Sequence, residues 1–146
     1  MWKTGKTSLE IVDIILYNWI LMSIKWDYVG VVSSDLHRSV EFYRLVGIPL
    51  PEPESDHVEV AMENGMRFAL DSLVLIKSIS HYEEPVGHRM GIGVNAGSAE
   101  GVNETYQQIV AAGFEGMTEP FDAFWGQRYA QVKDPDGNPV DIYAWL

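Results

Sequence analysis

The sequence predicts an α+β fold built from two similar halves. Two observations carry this: a strand, a helix and a hairpin follow one another twice along the chain, and each of the two helices stops at a glycine, Gly47 and Gly113. A third is composition. At 146 residues with 47% apolar side chains, the chain can bury the core of one domain or of two half-domains sharing one interior.

The first 22 residues stand apart from this pattern. "SLEIVDIILYNWILM", Ser8 to Met22, is interrupted by Glu10 and Asp13, is too short to span a bilayer, and has no small-residue cleavage site after it. Two readings stay open. Ser8 caps an amphipathic helix whose Leu9, Val12, Ile15, Leu16 and Trp19 form one apolar stripe, or Met22 is the true start. Residues 1–23 are therefore set aside as an N-terminal helical extension to a single domain, 24–146.

Module one covers residues 24–75. "WDYVGVV" reads as a strand and "DLHRSVEFYRLVG" as a helix, with Asp35 at its cap and Leu36, Val40 and Tyr43 on one face. "HVEVAM" and "MRFALD" form a hairpin through Asn64-Gly65, read as a two-residue turn. Residues 76–87, with Pro85 and Gly87, form a connector holding at most one helical turn. Module two covers residues 88–146. Its strand is "RMGIGV", its helix "SAEGVNETYQQIVAAG" is apolar at Val102, Tyr106, Ile109 and Val110, and strands at "QRYAQVK" and "PVDIYAW" meet at a turn around Asp136-Gly137.

Alternation assigns the strand faces. Val29 and Val31 oppose Tyr28 and Gly30; Met90, Ile92 and Val94 oppose Arg89, Gly91 and Gly93; Val140 and Ile142 oppose Asp141 and Tyr143. The apolar faces carry the helices. The other faces combine glycines with isolated polar groups, which is the composition of a pocket wall.

Charge and cysteine content narrow the chemistry. Ten Lys and Arg against 21 Asp and Glu give a net charge of −11, which disfavours nucleic acid and anionic membranes and favours cationic partners. With no cysteine there is no disulfide, thiol nucleophile or thiolate metal site. No Ser-His-Asp arrangement, phosphate loop or dinucleotide fingerprint is present.

"DLHRSVEFYRLVGI" together with "FWGQRYAQVKDPDGNPVDIY" resembles the vicinal oxygen chelate superfamily, which includes glyoxalase I, extradiol dioxygenases, fosfomycin-resistance enzymes and bleomycin-binding proteins. The resemblance spans about residues 24 to 145. It implies paired βαβββ modules, a curved mixed sheet around a cavity, and a homodimer. In the metal-dependent members two His and one Glu hold a divalent cation; the matching positions here carry Tyr28, Arg89 and Asp141. A phenol is a poor ligand near neutral pH and a guanidinium does not ligate, so no metal and no other cofactor is expected. Of the histidines, His88 reaches the ligand position only by a register slip that turns Met90, Ile92 and Val94 inward. His57 and Glu59 share a strand face, while His37 and His81 read as surface residues.

Two roles compete for the polar triplet. Arg89 and Asp141 pair with each other, with Tyr28 adding a hydrogen bond, or Arg89 receives an anionic ligand group while Asp141 or Glu59 meets a cation. "EPFDAFWGQRY" places Phe121, Phe124, Trp125 and Tyr129 in and around a loop after Pro120, suited to stacking flat or cationic molecules. Phe42, Tyr43 and Tyr106 read as core. The expected ligand contacts are Tyr28, Glu59, Phe68, Arg89, Phe124, Trp125, Asp141 and Tyr143. The expected function is sequestration of a cationic or planar aromatic compound by a cytoplasmic homodimer of the bleomycin-resistance type, without catalysis. The rivals are an enzyme using atypical metal ligands or Tyr28, Glu59 or Asp141 as acid or base, and a sensing module docking through its N-terminal helix.

Overall fold

The computed structural model describes residues 26–87 and 90–146. The expected N-terminal helix and Arg89 lie outside the described residues. The chain runs β1 (Tyr28–Ser33), α1 (Leu36–Leu45), β2 (His57–Ala61), β3 (Arg67–Ser72), α2 (Leu73–Ile79), β4 (Ile92–Asn95), α3 (Ala99–Ala111), β5 (Gly116–Ala123), β6 (Gln127–Lys133) and β7 (Pro139–Trp145). A three-stranded sheet has the order β1-β3-β2 and a four-stranded sheet the order β4-β7-β6-β5. Each sheet pairs its first strand parallel to its last and is antiparallel elsewhere. Among the described residues no helix is long and apolar enough to cross a membrane.

Both long helices begin and end as their sequences require. The Asp35 carboxylate caps α1 by accepting from the Arg38 amide, and Ser98 caps α3 by accepting from Gly101. At the other ends Gly47 and Gly113 take φ of 86° and 84°. That left-handed turn lets Ile48 and Phe114 bond back to the carbonyls of Tyr43 and Ile109. The helices cover one face of each sheet, where Val40, Phe42, Tyr43, Leu70, Val102, Ile109, Val132, Val140 and Ile142 form one interior. Val110, expected on the buried face of α3, is 41% exposed, because it lies one residue past Ile109 on the turn.

Asp134 fastens the halves together. Its carboxylate accepts from the amides of Asp136 and Asn138 within its own turn and from the Tyr43 hydroxyl at 2.8 Å, across from α1. Asp136 in turn accepts from the Ser34 amide just ahead of α1. Burial and the Asp134 carboxylate push the Tyr43 phenol far above its ordinary pKa, so it remains a donor.

Four local expectations are corrected. The first half holds three strands, not four: the stretch between α1 and β2 contains Pro49, Pro51 and Pro53, which have no amide hydrogen to give a ladder. The hairpin turn spans three residues, because Met62 and Met66 pair and only Gly65 takes positive φ. The loop expected after Pro120 is confined to the turn at residues 124–126, because β5 runs on to Ala123 as an edge strand with two register shifts, where a proline is tolerated. The connector's single turn is the seven-residue helix α2, capped by Ser72.

Candidate functional site

The faces turned away from the helices carry the polar residues, and the register places them in matching rows. On the first sheet Gly30, Ala69 and Glu59 lie side by side, and the next row on that face is Val32, Asp71 and His57. On the second sheet the corresponding rows are Gly93, Asp141 and Gln131, then Asn95, Tyr143 and Tyr129. Gly30 and Gly93 each stand five residues before a helix cap, Asp35 and Ser98, which confirms the correspondence.

The first sheet's face is a charge network. Tyr28 folds over Gly30, where a Cβ would come within 2.7 Å of the phenol oxygen, and its hydroxyl donates to Asp71 Oδ2 at 3.1 Å. His57 Nδ1 meets Asp71 Oδ1 at 2.6 Å and its Nε2 lies 3.4 Å from Glu59. Arg67 joins Glu59 to Asp27. The hydrogen bond to Asp71 raises the His57 pKa, opposed by partial burial and reinforced by the charges of Asp71 and Glu59. Burial and then Asp71 raise that of Tyr28.

The second sheet's face treats its carboxylate differently. Asp141 Oδ1 accepts from the Tyr129 hydroxyl and from Gln131 Nε2, both at 2.8 Å. Burial, then the bond to Asp141, push the Tyr129 phenol up to about 12, so it is a donor throughout the physiological range. The Tyr129 ring also meets Phe121 and Trp125 edge-on, with centroids 5.8 and 5.6 Å apart, and Phe124 stands 5.0 Å beyond Trp125. Trp125 is fixed through its indole nitrogen, which donates to Gln127 Oε1 at 2.8 Å. A strip of rings thus ends on a carboxylate. Phe124 is 97% exposed and Trp125 45%, so the strip faces solvent.

Of the expected contacts, Asp141, Tyr143, Trp125 and Phe124 come together on the second sheet, while Tyr28 and Glu59 belong to the first. Phe68 stands apart from both polar faces: it points to the helix side, 5% exposed, with its ring against Tyr43. The bond expected from Tyr28 toward Asp141 is also corrected, since Tyr28 bonds Asp71 and Asp141 has its own donors. Arg89 is outside the described residues; the β4 position beside Asp141 is Gly93. His57, Asp71 and Gln131 complete the networks without having been expected as ligand contacts. Counting outward from the Asp136-Gly137 turn puts Gln131 opposite Asp141, a signal available in the sequence.

The donor set does not fit a divalent cation at the chelate positions. Tyr28 and Asp141 bond to different partners on different sheets, and among the described residues no three His, Asp or Glu side chains converge to hold a metal ion. Two cavities lie between the edge strands β1 and β4. One of about 460 Å³ is lined by Val29, Val31, Leu73, Met90 and Pro139, and one of about 280 Å³ by Met62, Met66 and Phe68 among others. Of the expected ligand contacts described, only Phe68 lines either.

A sequence profile described as the glyoxalase/bleomycin resistance protein/dioxygenase superfamily matches residues 25–142. The chain belongs to this superfamily. A curated relative, the uncharacterized protein YraH of Bacillus subtilis (strain 168), is 27% identical over 128 residues, 81% of this chain and 96% of its own. A crystal structure of a superfamily protein from Nocardioides matches with a TM-score of 0.66 and 25% identity, covering 92% of this chain and 93% of that one. A superfamily enzyme from Burkholderia phytofirmans PsJN matches with a TM-score of 0.73 at 17% identity, covering 84% and 100%. The superfamily's paired-module architecture is thus the one described above, shortened by one strand in the first half.

Proposed function

We propose that this superfamily member binds, without a metal, a small cationic compound with a planar aromatic part, on the polar face of the second sheet. One observation carries the reading. Among the described residues Asp141 is held by uncharged donors, whereas Asp71, Glu59, Asp27, Asp122 and Glu115 are matched by His57, Arg67, Arg128 or Lys133. A carboxylate that no cation among the described residues compensates, at the end of a strip of exposed rings, attracts a cation that can also stack. The net charge of −11 adds long-range attraction of the same sign. Sequestration, rather than turnover, is the action this predicts. A homodimer, which the superfamily resemblance implies, belongs to the same proposal and is checked by sedimentation.

The test is quenching of tryptophan fluorescence by matched cationic, neutral and anionic planar compounds, in the unmodified protein and in Trp125→Phe and Asp141→Asn. The cationic set quenches, and each substitution weakens that response. Equal quenching by all three charge classes, or none, removes the reading. Elemental analysis of the purified protein checks the other half: a stoichiometric divalent metal would overturn metal-free binding.

His57 favours a second reading. An imidazole oriented by Asp71, with the Tyr28 hydroxyl on the same carboxylate, is an arrangement able to move protons on the first sheet. Under that reading His57→Asn abolishes turnover of a bound compound while leaving its affinity unchanged.

A further inference from the structure

The side chains that prepare the aromatic corner all stand on one face of β6. Gln127, Tyr129 and Gln131 alternate along that strand. Gln127 holds the Trp125 indole by its only polar atom, and Tyr129 packs edge-on against the same indole. Tyr129 and Gln131 both donate to Oδ1 of Asp141, and Gln131 Nε2 lies 3.3 Å from the Tyr129 hydroxyl. Oδ1 therefore has its donors, while Oδ2 receives none among the described residues. A single tyrosine ring separates the indole from the carboxylate.

Resting on the reading above, we infer that this strip on β6 sets the class of ligand: a planar ring carrying a protonated primary or secondary amine on a short spacer. Two facts lead there. Oδ2 of Asp141, without a donor among the described residues, accepts a hydrogen bond that an N–H cation supplies and a quaternary ammonium lacks. The indole and the carboxylate are fixed before any ligand arrives, so only a ligand whose ring and nitrogen stand at the matching spacing engages both. Gln127 and Gln131 are positioning residues. They act through Trp125 and Asp141 and need not touch the ligand.

The experiment titrates the full chain with naphthylmethylamine, its homologues with three- and six-carbon spacers, and the N-trimethyl analogue. In parallel, ¹⁹F spectra are recorded of protein labelled with 5-fluorotryptophan, with the Trp125 resonance assigned by its loss in Trp125→Phe. The short-spacer amine binds tightest, at least about tenfold tighter than the trimethyl analogue, the size expected for a hydrogen bond to a charged group. Gln127→Met shifts the Trp125 resonance and weakens all the amines, and Gln127→Glu, which keeps the acceptor, restores the resonance. Gln131→Met narrows the gap between the amine and its trimethyl analogue.

Affinities within twofold across the spacer series and the trimethyl analogue, with Gln127→Met binding like the unmodified protein, overturn the inference while leaving the broader function standing. Absence of binding by every compound to the unmodified protein removes the function and the inference together. The spacer series needs no variant, so the outcome does not depend on any substitution folding.

Discussion

The two sheets share a register and differ in how they treat charge. In the first, the row Gly30, Ala69 and Glu59 is followed by Asp71 and His57, so each acid has a basic neighbour. In the second, Gln131 stands where Glu59 stood, Asp141 replaces Ala69, and Tyr129 and Tyr143 replace His57 and Asp71. The backbone is the same; the side chains turn a neutralised network into a carboxylate among rings. A duplicated unit can therefore keep its spacing for folding while the side chains on the faces of its two copies diverge.

The largest effect we expect comes from the bond joining the halves. Asp134 is 4% exposed, and Asp134→Ala leaves the Tyr43 hydroxyl and two loop amides without their acceptor. A loss of about 3 kcal/mol in chemical denaturation is predicted. If it costs no more than an exposed alanine substitution, the halves are held by apolar packing and by the bonds from Ser34 to Asp136 and from Arg38 to Ala112.

Next is the asymmetry of the two acids. Asp141→Asn weakens a cationic aromatic ligand by about 2 kcal/mol, the scale of a charge-assisted hydrogen bond, while Glu59→Gln leaves it unchanged. Equal effects, measured by calorimetry, would place the ligand between the sheets and not on the second.

The paired glycines sharpen the contrast further. At Gly30 a methyl group collides with the Tyr28 ring, and at Gly93 it meets Tyr143 at an ordinary 3.6 Å. Gly30→Ala is expected to break the Tyr28 to Asp71 bond and bring the Tyr28 pKa back toward its usual value, seen by ultraviolet titration. Gly93→Ala leaves the fold unaltered and only narrows the space beside Asp141.

The smallest effect is electrostatic. His57 has a raised pKa in the folded protein, so its contribution is complete below the unfolded value near 6.5 and is lost as pH rises through the folded value. Because the ring is 41% exposed, the amount is under about 1 kcal/mol. NMR titration of His57 should give a midpoint above that of an unperturbed histidine, and Asp71→Asn should lower it.

Much of this fold was legible in the chain. The caps at Asp35 and Ser98, the stops at Gly47 and Gly113, and the alternating strands announce themselves through neighbours a few residues away. The edge strand β5 was hidden by Pro120, since a lone strand segment does not show whether its amides face a partner or solvent. The site was half legible: Asp141, Trp125 and Tyr143 stood out by type, whereas the side of the sheet that Phe68 faces depends on its packing against Tyr43 from α1.

By itself, the sequence determined the duplicated α+β unit and the caps and glycine stops of both long helices, because these depend on residue type and local periodicity. Only the tertiary structure decided that Tyr28 belongs to Asp71, that Asp141 belongs to Tyr129 and Gln131, and that Phe68 faces the helices. Those pairings depend on register between strands far apart in the chain, where a shift of one residue would turn every side chain to the opposite face.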